Sequence, residues 1–275
     1  MRAAVIQMNS DSDVARNLER AEALVRAAAA DGAELICLPE KWALLGPGEV
    51  IAAGAEPLDG PIVSAAAGWA RDLGIHLVAG SVPEDPGDGG KPYNTSVLID
   101  PDGEIAATYR KLHMFDVEVE GTSYRESEYE RAGEGVATAT AGELELGLTV
   151  CYDLRFPELF RILAVRGATA FTIPSAFTAV TGRAHWEVLL RARAIENSAF
   201  VIAAGQVGKA EPHYESWGHS MIVDPWGRTL AVVEAGDGHA CADLDLAELR
   251  RVRESLPSLA NRRGDAYEWP VEAPV

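Results

Sequence analysis

With 275 residues, 48% of them hydrophobic, the chain is long enough to bury a large core, and we expect a single domain over residues 1–275. Its 24 Lys and Arg residues are outnumbered by 42 Asp and Glu residues, which gives a net charge of −18. Binding to a nucleic-acid phosphate backbone needs a basic face, so this acidic excess argues against nucleic acid as a partner.

The start of the chain and its cysteines predict a soluble, cytoplasmic protein. The first eight residues are typical of a core strand rather than of a signal peptide, and no apolar run is long enough to cross a membrane. Cys37, Cys151 and Cys241 are odd in number and far apart, which is typical of a reducing compartment. Neither the cysteines nor the histidines show the spacing of metal ligands, so we expect no protein-bound metal.

Strand and helix patterns alternate along the first half of the chain. Glu40 directly follows the second predicted strand, and layered α/β folds bind ligands at the carboxyl ends of their strands. The sequence Asp100-Pro-Asp-Gly103 predicts the turn of a hairpin. We expect strands at 3–8, 34–38 and 76–82, helices within 17–28 and 63–73, and hairpin strands at 95–99 and 105–109.

The second half repeats this order. The sequence Asp224-Pro-Trp-Gly227 matches the turn of the first hairpin, which either an internal repeat or a generally favoured turn explains. We therefore predict two mixed sheets packed face to face with helices outside, an α/β fold of the four-layer αββα sandwich type. The expected elements are a strand ending at Cys151, strands at 169–173 and 200–207, and helices at 158–165, 184–197 and 244–253.

Cys151 lies where an apolar strand turns into a helix. Leu146, Leu148 and Val150 predict the buried strand, and Pro157 suits the first turn of the helix. A thiol at such an elbow faces unpaired backbone N–H groups and the positive end of the helix dipole, which lowers its pKa. A buried structural cysteine is the competing interpretation of this segment alone.

A nucleophilic thiol needs a base and a donor for the oxyanion. His113 and His185 fall in segments that we predict to be loop or helix, whereas Glu40 and Lys111 each follow a strand directly. Each of these two could be an ordinary surface residue, so only their combination with Cys151 indicates a catalytic site.

Three segments together resemble the Glu-Lys-Cys set of the nitrilase superfamily of carbon–nitrogen hydrolases. They are Pro39-Glu40, Arg110-Lys111-Leu-His-Met-Phe115, and the stretch Thr149-Val-Cys151-Tyr-Asp-Leu-Arg-Phe-Pro-Glu158. Segments at 125–127, 176–182, 184–197 and 218–227 are similar to its Nit branch, and most similar to the deaminated glutathione amidases, followed by the ω-amidases. The resemblance implies an αββα sandwich, a homodimer, and amide hydrolysis through a covalent thioester without a metal or organic cofactor.

The resemblance also implies a role for each catalytic residue. Cys151 would be the nucleophile, and Glu40 the general base that deprotonates it and later activates water. Lys111 and the N–H group of Tyr152 would stabilise the oxyanion. Glu126 matches a second glutamate of the family, which would position Lys111 and the substrate amide.

Arg155 predicts a substrate that carries a carboxylate. In similar enzymes its position binds the carboxylate of an α-keto acid, and positions matching Phe177 and Thr181 line the same pocket. A guanidinium forms bidentate pairs with carboxylates, and an arginine in the first turn of a helix opposes the helix dipole unless an anion compensates. We therefore expect a small amide of the deaminated glutathione or α-ketoglutaramate type.

Two stretches depart from the family pattern and leave the substrate open. Ala132-Gly133 stands where the family often has Pro-Gly, and residues 118–124 replace a Val-Pro-Gly pattern before Glu126. A nitrilase and an N-carbamoyl amino acid amidohydrolase are alternative enzymes, and a non-catalytic interaction protein is an alternative of another class. The tail at about 256–275 is expected at the dimer interface, as in similar proteins.

Overall fold

The structure, a computed structural model, describes residues 1–119, 121–210 and 214–266, without the side chain of Tyr214. The helices are α1 (Val14–Ala30), α2 (Gly48–Ala53), α3 (Pro61–Leu73), α4 (Pro157–Val165), α5 (Ala179–Asn197) and α6 (Leu246–Ser255). The strands of the first half are β1 (Arg2–Gln7), β2 (Leu35–Cys37), β3 (His76–Val78), β4 (Val82–Glu84), β5 (Tyr93–Ile99), β6 (Ile105–Arg110), β7 (Asp116–Val119) and β8 (Thr122–Arg125). Those of the second half are β9 (Ala137–Ala141), β10 (Leu144–Leu148), β11 (Ala170–Thr172), β12 (Phe200–Ala203), β13 (Val207–Ala210), β14 (Tyr214–Trp217), β15 (Met221–Val223), β16 (Thr229–Val232) and β17 (Gly238–Asp243).

The first long helix shows how local sequence signals set the helix bounds. The side chain of Asp13 accepts a hydrogen bond from the backbone N–H of Arg16 and caps the start of α1. Ala21, Val25 and Ala28 recur at helical spacing and are fully buried, so one face of α1 packs on the first sheet. Among the described residues, no helix is both long and apolar enough to span a membrane.

Two large mixed sheets have matching strand orders. In the first sheet β1, β2 and β3 run parallel, and β5 and β6 continue antiparallel. In the second sheet β10, β11 and β12 run parallel, and β15 and β16 continue antiparallel. Strands β17, β4 and β9 add antiparallel partners to β1, β5 and β10. Five strands thus follow the same order in both sheets. This agreement favours an internal repeat as the explanation of the two matching Asp-Pro-x-Gly turns over a generally favoured turn.

The two Asp-Pro-x-Gly turns close their hairpins with the same hydrogen bonds. The N–H group of Gly103 donates to the carbonyl of Asp100 at 3.0 Å, and that of Gly227 donates to the carbonyl of Asp224 at 2.9 Å. Both glycines have a positive φ, 82° and 85°, which a residue with a side chain rarely adopts. Each turn therefore requires its glycine.

Both faces of the first sheet are buried, which places that sheet between two layers. Ala3 and Val5 of β1 pack in a core cluster that includes residues of the second sheet and of α4 and α5. Ala4 and Ile6, which point to the other face, pack in a cluster with residues of α1 and α3. The layers therefore run helices, sheet, sheet, helices, and the predicted αββα sandwich is confirmed.

Four predicted element bounds were wrong, and the first is the strand predicted to end at Cys151, which ends at Leu148. The strand predicted at 76–82 divides into β3 and β4, because Gly80 turns the chain with a φ of 46°. The strand predicted at 200–207 ends at Ala203 and a separate strand begins at Val207. The helix predicted at 184–197 begins at Ala179, because Thr178 caps it through the N–H group of Thr181.

Candidate active site

Glu40 lies just after β2 and is held by groups from both halves of the chain. Its Oε1 accepts hydrogen bonds from Lys111 Nζ and Asn94 Nδ2, both at 2.9 Å. Its Oε2 accepts from the backbone N–H of Ala176, which follows β11, at 2.8 Å. The buried carboxylate is therefore fixed in orientation between the two sheets.

Lys111 follows β6 and is 1% exposed. Its ammonium group donates to Glu40 and to both carboxylate oxygens of Glu126, at 2.9 and 2.8 Å. Burial by itself lowers the pKa of Lys111, but the charges of Glu126 and Glu40 outweigh it and raise the pKa well above its usual value. The group therefore stays an ammonium ion, able to stabilise an oxyanion.

Cys151 opens a 3₁₀ turn, Cys151–Arg155, shortly after β10. Its φ of 46° lies in the left-handed region, which costs a residue with a side chain about 1 kcal/mol or more. The thiol lines one cavity with Glu40 and Lys111 and is near enough to both for their charges to act on its pKa. The structure thus brings together the three side chains that the sequence predicted as catalytic.

The predicted lowering of the Cys151 pKa is wrong. Helix α4 begins only at Pro157, after the 3₁₀ turn, so the thiol does not lie at the start of a helix. Burial raises the pKa of Cys151 well above its usual value, and the neighbouring Glu40 carboxylate raises it further, while Lys111 opposes both. Cys151 therefore rests as a neutral thiol beside a carboxylate that can accept its proton.

Glu126 is the second carboxylate that binds the ammonium group of Lys111. It begins a short 3₁₀ turn after β8 and also accepts hydrogen bonds from Lys41 Nζ at 3.2 Å and from the N–H group of Phe115 at 2.7 Å. Burial favours its neutral form, but the ammonium groups of Lys111 and Lys41 outweigh burial and lower the pKa of Glu126. It therefore remains ionised next to Lys111.

The sequence analysis did not identify a second buried ion pair in this site. Lys41 Nζ lies 2.5 Å from Glu130 Oε2, and the two side chains are 10% and 2% exposed. The other oxygen of Glu130, Oε1, has no hydrogen-bond partner among the described residues. Burial raises the pKa of Glu130 to about 7 despite the opposing charge of Lys41. In the sequence, Lys41 directly follows Glu40 and Glu130 directly follows Tyr129. Single charged residues at such places are typical of a protein surface, so the sequence gives no further signal of this pair.

Asp153 is another site residue that the sequence analysis did not identify. Its Oδ2 accepts from the hydroxyl of Tyr109 at 2.7 Å and from the N–H group of Val150 at 2.8 Å, and its Oδ1 lies 2.7 Å from His113 Nδ1. The carboxylate is fully buried. It therefore joins the turn that carries Cys151 to the segment that carries Lys111.

A cavity of about 400 Å³ lies next to Cys151. Strand β8 of the β7–β8 hairpin forms part of its wall through residues 122–125. Residues 122–124, within the stretch that departs from the family pattern, line this cavity and so affect its shape. Other lining residues are Glu40, Lys41, Leu45, Glu49, Ile51, Lys111, Phe115, Glu126, Tyr129, Glu130, Ala176 and Ala210.

The residues predicted to bind substrate line a second, small pocket, which shares Phe115, Cys151 and Ala176 with the large cavity. Tyr152, Arg155, Phe177 and Thr181 line a small pocket together with Cys151. The pocket holds only about 10 Å³, about the room that one water molecule needs. A carboxylate that reaches Arg155 therefore requires these side chains to move apart.

Arg155 does not lie in the first turn of a helix, contrary to the prediction. It is the last residue of the 3₁₀ turn, so the helix dipole gives no argument for its role. Its guanidinium lies 5.0 Å from the ring centre of Phe177, and Nη1 is 3.3 Å from His185 Nδ1. Within the described part of the chain, no carboxylate forms an ion pair with it. Arg155 thus offers a positive charge without an internal counter-ion.

Comparisons with known proteins agree with the fold and the motifs. Residues 2–254 match the family model for carbon-nitrogen hydrolase. The chain is 36% identical to the omega-amidase NIT2 of Homo sapiens over 274 residues, which are 99% of each chain. It is 41% identical to the deaminated glutathione amidase of Synechocystis sp. (strain PCC 6803 / GT-S), over 94% of this chain and 97% of the relative. The crystal structure of Saccharomyces cerevisiae Nit3, a member of branch 10 of the nitrilase superfamily, superposes with a TM-score of 0.87 at 32% identity, covering 96% of each chain.

These matches confirm the resemblance that the motifs indicated. The family model covers almost the whole chain, and the two relatives are amidases that align over nearly their full length. The protein is therefore an amidase that hydrolyses carbon–nitrogen bonds other than peptide bonds. The chain belongs to the carbon–nitrogen hydrolase family, the nitrilase superfamily.

Proposed function

We propose that the protein hydrolyses a linear amide whose acyl part ends in a carboxylate, through a thioester on Cys151. The contacts of Glu40 carry this proposal, because one buried carboxylate lies beside both the thiol of Cys151 and the ammonium group of Lys111. Such an arrangement supplies a nucleophile, a base and an electrostatic donor within one site.

In the first half of the reaction, Glu40 takes the thiol proton while the sulfur of Cys151 bonds to the amide carbon. The oxyanion that forms accepts hydrogen bonds from Lys111 and from the N–H group of Tyr152, near the start of the 3₁₀ turn. Glu40 then gives its proton to the leaving nitrogen. The C–N bond breaks, a neutral amine or ammonia departs, and the acyl group stays on the sulfur.

In the second half, Glu40 takes a proton from a water molecule that attacks the thioester carbon. Lys111 again stabilises the oxyanion, the C–S bond breaks as Glu40 returns its proton to the sulfur, and the carboxylic acid leaves the restored thiol and carboxylate. Glu126 keeps Lys111 in place in both halves, since it binds the ammonium group with both oxygens. The residue acts on the reaction through Lys111.

Arg155 gives the proposal its substrate class. Its guanidinium has no internal carboxylate partner within the described residues and shares a pocket with Cys151, Phe177 and Thr181. A bidentate pair with the distal carboxylate of the acyl group would orient the amide carbon at the sulfur. Amides of the α-ketoglutaramate and deaminated glutathione type have this carboxylate.

The test is turnover of α-ketoglutaramate and deaminated glutathione beside glutamine and a simple nitrile, with mass spectrometry of the quenched enzyme. We expect turnover of at least one of the two carboxylated amides above that of glutamine and the nitrile, and an acyl adduct on the peptide that contains Cys151. Substantial turnover by Cys151→Ala, or an adduct on Cys37 or Cys241, would contradict the proposal.

We also propose that the 275 residues form one domain that pairs as a homodimer in the cytoplasm. Exposed apolar side chains support the pairing, since Val165 of α4 and Val188 of α5 are 54% and 66% exposed, and such surfaces often mark interfaces. The three cysteines are free, as a reducing compartment requires. Residues 267–275 of the tail predicted at the interface lie outside the described residues. Light scattering during size-exclusion chromatography tests the dimer, and a monomeric mass would contradict it.

A further inference from the structure

Asn94 contacts Glu40, Lys111 and Glu126 without carrying a charge itself. It is fully buried on β5. Its Nδ2 donates to Glu40 Oε1 at 2.9 Å and, at a longer 3.4 Å, to Glu126 Oε1. Its backbone carbonyl accepts from the N–H group of Lys111 at 2.9 Å. One neutral residue is therefore bonded to both carboxylates and to the backbone of the lysine that they hold.

The partners of the Asn94 amide determine its orientation. A carboxylate only accepts hydrogen bonds, so the NH₂ group of the amide has to face Glu40 and Glu126. Its Oδ1 is buried and has no hydrogen-bond partner among the described residues. Leaving a buried acceptor unpaired costs stability. The site therefore uses Asn94 as a donor, although its acceptor is left unpaired.

The ammonium group of Lys111 uses all its donors before the reaction starts. A lysine ammonium has three N–H groups, and their acceptors here are Glu40 Oε1, Glu126 Oε1 and Glu126 Oε2, at 2.9, 2.9 and 2.8 Å. An oxyanion needs one of these donors, so Lys111 has to release one carboxylate oxygen when the oxyanion forms. Glu40 has then just taken the thiol proton and lost its charge, which makes it the weaker acceptor. The N–H group that turns to the oxyanion is therefore the one on Glu40.

The thiol proton goes to the second oxygen of Glu40, Oε2. A carboxylate oxygen has two lone pairs, and Lys111 and Asn94 occupy both of those on Oε1. Within the described part of the chain, the only N–H group that donates to Oε2 is that of Ala176, at 2.8 Å, which leaves a lone pair for the proton. The same N–H group partly opposes the rise in the pKa of Cys151, so it lies near the sulfur as well.

We propose that Asn94 is a positioning residue that keeps Glu40 in place while Lys111 transfers an N–H group from Glu40 to the oxyanion. The inference rests on the proposed function, because it assigns the thiol proton to Glu40 and the oxyanion to Lys111. Asn94 does not line the cavity and acts through Glu40. When the S–H proton has moved to Oε2 and the sulfur has bonded to the amide carbon, Asn94 still donates to Oε1. Glu40 therefore stays aligned to give its proton to the leaving nitrogen.

The test compares two reactions of Cys151 in Asn94→Leu, which keeps the approximate size of the side chain and removes its donors. Amide hydrolysis forms an oxyanion, whereas alkylation by iodoacetamide does not, because the sulfur attacks a carbon that carries no oxygen. Lys111 therefore stays on Glu40 during alkylation and holds it alone. For the carboxylated amide that the wild type hydrolyses fastest, we expect kcat to fall by about 10 to 100-fold, the effect of one lost hydrogen bond to a charged group, and KM to stay within about threefold. The rate of Cys151 alkylation, followed by mass spectrometry of its peptide near pH 7, should stay within about threefold.

Asn197→Leu is the matched control. Asn197 is also fully buried, its Oδ1 also has no partner among the described residues, and its Nδ2 donates to the backbone carbonyl of Arg193 at 3.0 Å. It lines neither the cavity nor the small pocket, so kcat of the folded variant should stay within about twofold of the wild type. If Asn94→Leu does not fold, Asn94→Asp takes its place, because it keeps the shape of the side chain but cannot donate to both carboxylates. Its kcat should still fall by about tenfold or more.

The outcomes separate this inference from the proposed function. An unchanged kcat in the folded Asn94 variant would overturn the inference. An equal loss of turnover and alkylation would also overturn it, because Asn94 would then only support the site before the reaction. The same loss of kcat in Asn197→Leu would assign the effect to stability, with the same consequence. If the wild type hydrolyses no carboxylated amide, or if Cys151→Ala keeps its turnover, the proposed function itself is wrong.

Discussion

The two halves of the chain share a strand order but contribute different chemistry to the site. The first half supplies Glu40, Lys111 and Glu126, which are already joined by hydrogen bonds in the folded protein. The second half supplies Cys151 and the pocket around Arg155, which is almost closed. Proton transfer and oxyanion binding are thus prepared before the substrate arrives, whereas recognition of the acyl group requires movement.

The largest effect on turnover is expected from a substitution of Glu40, the proposed base, which the first half of the chain supplies. Glu40→Gln keeps the size of the side chain but cannot accept the thiol proton, so we expect kcat to fall by about 10³ or more. Glu40 is also the proposed acceptor of the Cys151 thiol proton, so alkylation of Cys151 by iodoacetamide near pH 7 should slow as well when that acceptor is lost. Rates of amide turnover and of alkylation measure both effects, and Glu128→Gln serves as a control. Alkylation of Cys151 at the wild-type rate in Glu40→Gln would show that another group activates the thiol.

A smaller effect, on KM and not on kcat, is expected from a substitution of Arg155 in the second half of the chain. Arg155→Met removes the guanidinium but keeps the side chain's length, so KM for α-ketoglutaramate should rise by roughly 10 to 100-fold with little change in kcat. KM for a neutral amide should change by less than about threefold. Steady-state kinetics on both substrates test this split. Equal changes for both substrates would remove the carboxylate-binding role and with it the contrast between the halves.

The smallest expected effect is on the thermal stability of the protein, and it comes from Glu130 in the first half of the chain. Burial raises the pKa of Glu130 to about 7, above the value of a carboxyl in the unfolded chain. Its proton therefore stabilises the folded state at low pH, and this contribution is lost as pH rises through about 7. The charged groups that face it are Lys41, Glu126 and Lys111. Between pH 6 and pH 8, the Tm of the wild type should therefore fall by about 2 °C or more relative to the Tm of Glu130→Gln.

Differential scanning calorimetry at both pH values measures this shift. The exposed carboxylate of Glu128 supplies the reference, and the Tm difference between the wild type and Glu128→Gln should stay constant over the same range. If the Tm difference between the wild type and Glu130→Gln is also constant, Glu130 does not titrate between pH 6 and pH 8.

The sequence predicted the parts of the site that follow directly from strand ends. Glu40 and Cys151 come shortly after the buried strands β2 and β10, whose burial fixes where these side chains emerge, and Lys111 directly follows Tyr109 and Arg110 at the end of β6, where Tyr109 is buried. The fold class followed for the same reason, since alternating strands and helices leave few arrangements that bury every apolar face.

Other parts depend on contacts that no local pattern contains. The pair of Lys41 and Glu130 forms only when segments 89 residues apart pack together, and each charge alone is typical of solvent-exposed positions. The 3₁₀ turn after Cys151 also could not be predicted, because apolar spacing does not distinguish a tight turn from the first turn of a helix. That distinction reversed the expected direction of the thiol's pKa shift.

The buried carboxylate of Asp153 gives the two halves a common anchor. It binds Tyr109 and His113, on either side of Lys111, and also the backbone that leads into Cys151. The turn that carries the sulfur and the segment that carries the ammonium group are therefore tied to one buried carboxylate. We expect substrates of different length to be accommodated by rearrangement of Arg155 and Phe177 while the spacing of the reacting groups stays constant.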